Sequence, residues 1–135
     1  MFDFPATTKR VEFNTDKDIN NEIKRETLEN IAYYIGKDDS EILSRIEELD
    51  KEWDIERLLE ANAASIVSLS TIFGFTINKK WFALSGMVGG FLLYHALYGW
   101  CPPVPIFRRL GIRTSSEINY EKESLKNLLD IDNIY

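Results

Sequence analysis

The chain has 135 residues, 44% of them hydrophobic and 28% charged, with a formal net charge of -6, a size that suits one domain or a small core with extensions. The acidic balance argues against nucleic-acid binding, the single cysteine against a disulfide framework or zinc finger, and the apolar content against disorder. A mean hydropathy of -0.23 conceals a segregation along the chain. Residues 1–60 carry 9 Lys/Arg and 17 Asp/Glu, whereas from Ala61 to Pro105 the only charges are Lys79 and Lys80. An apolar block of that size needs either a deep protein core or a bilayer.

Residues 1–14 read as an extended segment, with no basic region, apolar run and small-residue cleavage site in the order of a signal peptide. From Thr15 the pattern turns helical. Thr15 can cap a first turn, Asp16 and Asp18 suit the positive end of a helix dipole, and Gly36 can take the left-handed conformation that ends a helix. Ile19, Ile23, Ile31 and Ile35 recur at multiples of four and give that helix one apolar face. A second helix follows, with Asp38 and Glu41 at capping-box spacing and a seam of Ile42, Ile46, Leu49 and Trp53. The two are expected to pack as an antiparallel cytoplasmic hairpin over residues 15–54. Continuing the second seam would bury Glu56 and Glu60, so the apolar stripe must rotate near Asp54 onto Ile55, Leu58 and Leu59.

The central block predicts two membrane spans. Residues 58–77 and 81–100 are each 20 long, and twenty helical residues cover about 30 Å, the thickness of a bilayer's hydrocarbon core. Asn78-Lys79-Lys80 between them is a polar turn too short for anything but antiparallel helices. Trp81 and Trp100 mark the ends of the second span as interface anchors, with Tyr94 and Tyr98 close by, and Lys79, Lys80, Arg108 and Arg109 are placed to do the same. Pro102, Pro103 and Pro105 then stop the helix.

Small residues recur at i, i+4: Gly86 with Gly90, Ser85 with Gly89, Ala61 with Ser65 and Ala64 with Ser68. In lipid, close backbone approach and hydroxyl bonds hold helices together, so these positions are candidate packing faces, within the hairpin or between subunits. Basic residues cluster at the outer ends of the spans (Arg45, Lys51, Arg57, Arg108, Arg109, Arg113) against two lysines in the turn, which places both termini in the cytoplasm. Over residues 113–135, Thr114 and Glu117 open a last amphipathic helix whose stripe is Ile118, Leu125, Leu128 and Leu129. That helix can dock on the cytoplasmic hairpin or lie on the membrane surface. The expected fold is therefore all-α, an antiparallel transmembrane hairpin with amphipathic cytoplasmic helices before and after it.

Glu56-Arg57-Leu58-Leu59 leading into an Ala/Ser-rich helix, a short polar turn, a Gly-rich helix ending Tyr98-Gly99-Trp100-Cys101-Pro102, and then Ile106-Phe107-Arg108-Arg109-Leu110-Gly111-Ile112 resemble the YgaP-like transmembrane domain family over about residues 55–112. The resemblance implies a two-helix module of the bacterial inner membrane, a homodimer, and a link to sulfur metabolism. Some relatives carry a rhodanese domain with a catalytic cysteine. Residues 1–54 hold no cysteine here, so no rhodanese activity carries over.

Candidate chemistry is sparse. Cys101 is either a reactive thiol or a small packed residue at a turn; a helix carboxyl end disfavours its thiolate, and with no second thiol it cannot form an intramolecular disulfide. His95 is the only histidine and lies within a span, where it either bonds Ser or Tyr hydroxyls across the hairpin or relays protons. On one continuous helix His95 and Cys101 would stand about 120° apart and roughly 9 Å along the axis, too far to share a metal. Glu60 could pair with Arg57 or Arg108, or snorkel to the interface. No metal or cofactor is expected, and no catalysis. The readings in order are a membrane scaffold or accessory subunit that dimerises, an oligomeric carrier or sulfur-handling protein using Cys101 and His95, a soluble bundle with the hairpin as its core, and a sulfur-transfer enzyme. The partners expected are the lipid bilayer and a homo-oligomer or larger membrane complex.

Overall fold

A computed structural model describes residues 3–132; the outermost residues of the predicted amino-terminal segment and carboxyl-terminal tail, 1–2 and 133–135, lie outside it. Among the described residues all regular structure is helical: α1 (Arg10–Phe13), α2 (Lys17–Tyr34), α3 (Asp39–Lys51), α4 (Ile55–Thr76), α5 (Trp81–Tyr98), α6 (Pro103–Arg109) and α7 (Ser115–Asp132). The single turn of α1 falls where extended chain was expected. Its presence lets Thr15 donate a hydrogen bond to the Val11 carbonyl, and Asp16 takes over the capping of α2 by accepting from the Asp18 N–H.

α4 and α5 form the antiparallel hairpin. At 22 and 18 residues they reach about 33 and 27 Å, and both are long and apolar enough to cross a membrane. The turn closes on itself, with Asn78 Oδ1 accepting from the Lys80 N–H at 2.9 Å. Phe73 meets Trp81 and Phe75 meets Phe82 edge-on beside it. The inner seam is made of small and hydroxylated groups. Gly74 lies against the Phe82 ring, leaving no room there for a Cβ, and the Ser85 hydroxyl meets those of Ser70 at 2.5 Å and Thr71 at 3.1 Å. Hydroxyl pairs of this kind stabilise helix contacts in lipid because no water competes for them. The outer faces are apolar and exposed, with Leu69, Ile72, Phe75, Met87, Leu93 and Leu97 turned away from the chain's own core. A water-soluble bundle would hide such residues; a bilayer covers them.

The remaining helices build a polar cap at the open end of the hairpin. Here the structure corrects the expected α2–α3 hairpin: each of these helices packs against α7, which supplies the shared partner. Ile42 and Leu49 of α3 join Ile118 and Leu125 of α7 in one cluster, flanked by Tyr34, Ile46, Leu128 and Leu129. Trp53, expected on that seam, is instead exposed beneath the Arg57 guanidinium, 4.5 Å from its centre. α7 thus docks on the cap. Its capping box forms in both directions, the Thr114 N–H donating to Glu117 at 2.8 Å and the Glu117 N–H to the Thr114 hydroxyl at 3.3 Å.

Two buried guanidinium groups fasten α7. Arg108, expected as an exposed interface anchor, is instead wholly buried, because α6 turns it inward. It grips both Glu117 oxygens at 2.7 Å, and donates to Asn20 Oδ1, the Thr15 hydroxyl and the Ile112 carbonyl. Arg113 spans Glu52 at 2.6 and 2.9 Å, the buried Glu121 and the Thr27 hydroxyl, while its carbonyl accepts from the Ile55 N–H at 2.9 Å. Arg45 of α3 closes the set on Glu121. Bidentate, fully bonded pairs are the form in which charge survives away from water.

Burial would raise the Glu117 carboxyl, but Arg108 and the Thr114 N–H outweigh it and hold the group below its ordinary 4.5. A depressed carboxylate stabilises the fold above its unfolded pKa and loses that contribution as pH falls through the folded one. Protection of α7 amides from hydrogen exchange in detergent should therefore hold from neutrality down to about 4.5 and weaken below. Glu117→Gln should lower cap stability at neutral pH by about 3 kcal/mol, with the gap to wild type closing in acid. Equal protection of the two proteins at neutral pH would refute the clamp.

Candidate functional site

Where α4 begins and α5 ends, the chain brings together groups that lie far apart in sequence. α5 stops because Gly99 takes a left-handed φ of +85°, its N–H bonding back to the His95 carbonyl at 2.7 Å. The reversal folds the exit loop against the helix it has just left. Gly99 also sits so close to α1 that a Cβ there would lie 2.4 Å from the Arg10 carbonyl oxygen. Asn14 stitches the same contact, its side-chain N–H donating to the Arg10 carbonyl at 2.7 Å and the Tyr98 carbonyl at 2.6 Å. Beneath lies an apolar cluster of Val11, Ile55, Leu59, Cys101 and Val104.

Glu56 is the hub of the polar part. One carboxylate oxygen lies 2.8 Å from His95 Nε2, and the other accepts from Arg10 at 3.0 Å; Arg10 also donates to the Thr7 carbonyl. His95 is buried, with its Nδ1 outside any hydrogen bond, and the Cys101 thiol lies beside the imidazole. A neutral ring that gives its Nε2 proton to Glu56 keeps a lone pair on Nδ1. The arrangement is thus a carboxylate, an imidazole and a thiol in a row, near the end of α5 where the Tyr94 ring meets Tyr98 at a tilt and Trp100 edge-on. Groups so ordered can pass a proton from sulfur to nitrogen.

The structure revises several expectations here. The 9 Å separation of His95 from Cys101 holds only for an unbroken helix, and Gly99 breaks it. His95 meets a carboxylate in place of Ser or Tyr hydroxyls. Glu60 is exposed and takes part in none of the ion pairs among the described residues; Arg108 is committed to Glu117 and Arg57 lies over Trp53. Cys101 is 4% exposed, one residue ahead of the cap of α6. Glu56 and Arg10 were not foreseen as site residues. The signal for Glu56 was its place on the continued seam of α3, where a buried carboxylate needs a partner. Arg10 left none, since nothing in its surroundings distinguishes it from a solvated arginine.

The candidate packing residues point outward. A Cβ at Gly86, Gly89 or Gly90 would meet open space, and Ala64, Ser65 and Ser68 are exposed, with Ala61 half-buried. Of the candidate positions Ser85 alone joins the described hydroxyl seam, meeting Ser70 and Thr71, while Gly86, Gly89 and Gly90 offer an open surface. Lys79, Lys80, Trp81, Trp100 and Arg109 are exposed at the two ends of the hairpin, as headgroup contacts require. Among the described residues no group of three His, Cys, Asp or Glu side chains gathers as a metal site would.

Residues 54–117 match the family described as inner membrane protein YgaP-like, transmembrane domain. The match runs from the cap of α4 into the first turn of α7, so it takes in the hairpin, the exit helix and the Arg108–Glu117 clamp, and leaves α1 to α3 outside. The hairpin is accordingly that of an inner-membrane protein, embedded in the lipid bilayer. No curated protein and no solved structure matches the chain.

Because a Cβ at residue 99 meets backbone and faces a positive φ, Gly99→Ala should displace α1 from the hairpin. The expected cost is about 2 kcal/mol or more, read as a lower melting temperature in detergent and faster proteolysis around Thr7–Thr15. Wild-type proteolysis rates would show that α1 is not seated on Gly99.

Proposed function

We propose that this protein is a scaffold or accessory subunit of an inner-membrane complex, assembled as a homodimer through the outer face of α5, with both termini in the cytoplasm and no catalytic turnover of its own. The observation that carries this reading is the outward, open placement of Gly86, Gly89 and Gly90 on a membrane helix whose inner seam is already filled by Ser85 and Phe82. A helix in lipid gains from a small-residue face when another helix lies on it. The acidic cap supports a role in offering a surface, since its α2 and α3 carry exposed carboxylates such as Glu22, Glu26, Glu29, Glu47 and Asp50.

A second reading, an oligomeric carrier or sulfur-handling protein using His95 and Cys101, gains from the proximity of those two side chains. Two helices per chain cannot enclose a pathway, so the carrier form requires more than two copies. Light scattering in detergent separates the two readings.

Replacing both Gly86 and Gly90 with Leu should convert a dimer into a monomer, with the hairpin's helicity retained because nothing within the chain touches those positions. A monomeric wild type, or a dimer indifferent to the substitutions, would sink the interface. Orientation is tested separately. In a Cys101→Ser background, Lys79→Cys should react with an impermeant maleimide from the periplasmic side; protection there, with reaction only after the membrane is opened, would invert the topology.

A further inference from the structure

Between α4 and α5, on the side where the exit loop folds back, lies an apolar groove of about 190 Å³ lined by Leu59, Ala63, Ile66, Val88, Leu92 and Cys101. Its volume exceeds the roughly 150 Å³ apolar cavity that holds a benzene, and its walls belong to the two helices long and apolar enough to cross the bilayer. The matter available to fill it there is a hydrocarbon chain. Cys101 is part of that lining, and next to Cys101 lies His95, which is 2% exposed and whose Nδ1 has no hydrogen-bond partner. With Nε2 fixed by Glu56 at 2.8 Å, Nδ1 is the ring nitrogen left to serve the neighbouring thiol.

We propose that Cys101 is an acylation site, at which the thiol accepts the acyl group of a fatty acyl thioester whose chain lies in the groove. His95 Nδ1 takes the thiol proton, and the thiolate attacks the thioester carbonyl carbon. The new carbon–sulfur bond forms as the bond to the carrier sulfur breaks, and the departing thiolate recovers the proton from the imidazolium. The products are an S-acylated Cys101 and a free carrier thiol, with no change in oxidation state. A thioester suits the exchange because one carbon–sulfur bond replaces another. The acyl chain would then fill the groove and tie the end of the hairpin to the cap side of the bilayer. The step is a single modification of the chain by itself, so it stands or falls independently of the dimer.

The full chain, reconstituted in vesicles of phosphatidylethanolamine and phosphatidylglycerol, is incubated with palmitoyl-coenzyme A or acetyl-coenzyme A, and hydroxylamine-labile acylation is read by intact mass. Palmitoyl transfer to wild type is expected to exceed acetyl transfer by about tenfold or more, and to vanish in Cys101→Ala. His95→Gln should slow both by about 100-fold. Ala63→Phe, which fills the groove and leaves the polar row untouched, should remove the preference for the long chain while retaining acetyl transfer. The Ala63 variant decides the matter if the His95 variant fails to fold. Absence of acylation, equal rates for the two donors on wild type, or an undiminished palmitoyl preference in Ala63→Phe would each overturn the proposal.

Discussion

A guanidinium withdrawn from water must find its counter-charge in the fold, and Arg108 and Arg113 do so one turn apart on the same face of α7, at Glu117 and Glu121. Arg108 ties α6 to Glu117, while Arg113 ties the start of α7 to Glu52 and Glu121. Through the Arg113 carbonyl the same residue receives the first N–H of α4. The position of the cap over the hairpin therefore depends on these pairs. The apolar contacts at Ile42, Leu49, Ile118 and Leu125 could slide along a helix, whereas a bidentate ion pair holds one register.

That anchoring lets the chain live in two solvents at once. α4 and α5 expose Leu, Ile, Phe and Met, which only lipid accepts, while α2 and α3 expose carboxylates, which only water accepts. The change-over falls at the first turn of α4 and the last turn of α5, where polar and apolar groups meet. Glu56 there bonds both His95 and Arg10, next to residues of the Val11, Ile55 and Val104 cluster. Polar groups at such a boundary lose water without gaining a fully apolar core, so each has to meet a partner from another element. Cys101 lies beside His95 in this row and also lines the apolar groove between α4 and α5.

The two sides of the hairpin divide the remaining work. The inner seam is filled by Ser70, Gly74, Phe82 and Ser85, so it is complete within one chain. The outer Gly86–Gly90 face is not, and its shape suits a neighbouring helix. The module is thus a membrane hairpin carrying an acidic helical body at its open end.

Hydropathy and periodicity determined α2 to α5 and α7 but neither α1 nor α6, and they also determined the two spans, the tight Asn78–Lys80 turn and the capping box of Thr114 with Glu117, because each of these follows from neighbours within one or two turns of chain. The likeness to the membrane family was also readable in the residues from Glu56 to Ile112. Contacts that join distant segments were another matter. Nothing in the spacing of α2 and α3 says that both would turn to α7, since an apolar stripe specifies a face and not its partner. Nor could the order of residues show that Gly99 would reverse the chain and set Cys101 beside His95, or that Arg108 would leave the surface for Glu117. Those outcomes depend on which charges can be paired once the helices are packed, and that is a property of three-dimensional placement, which only the tertiary structure decides.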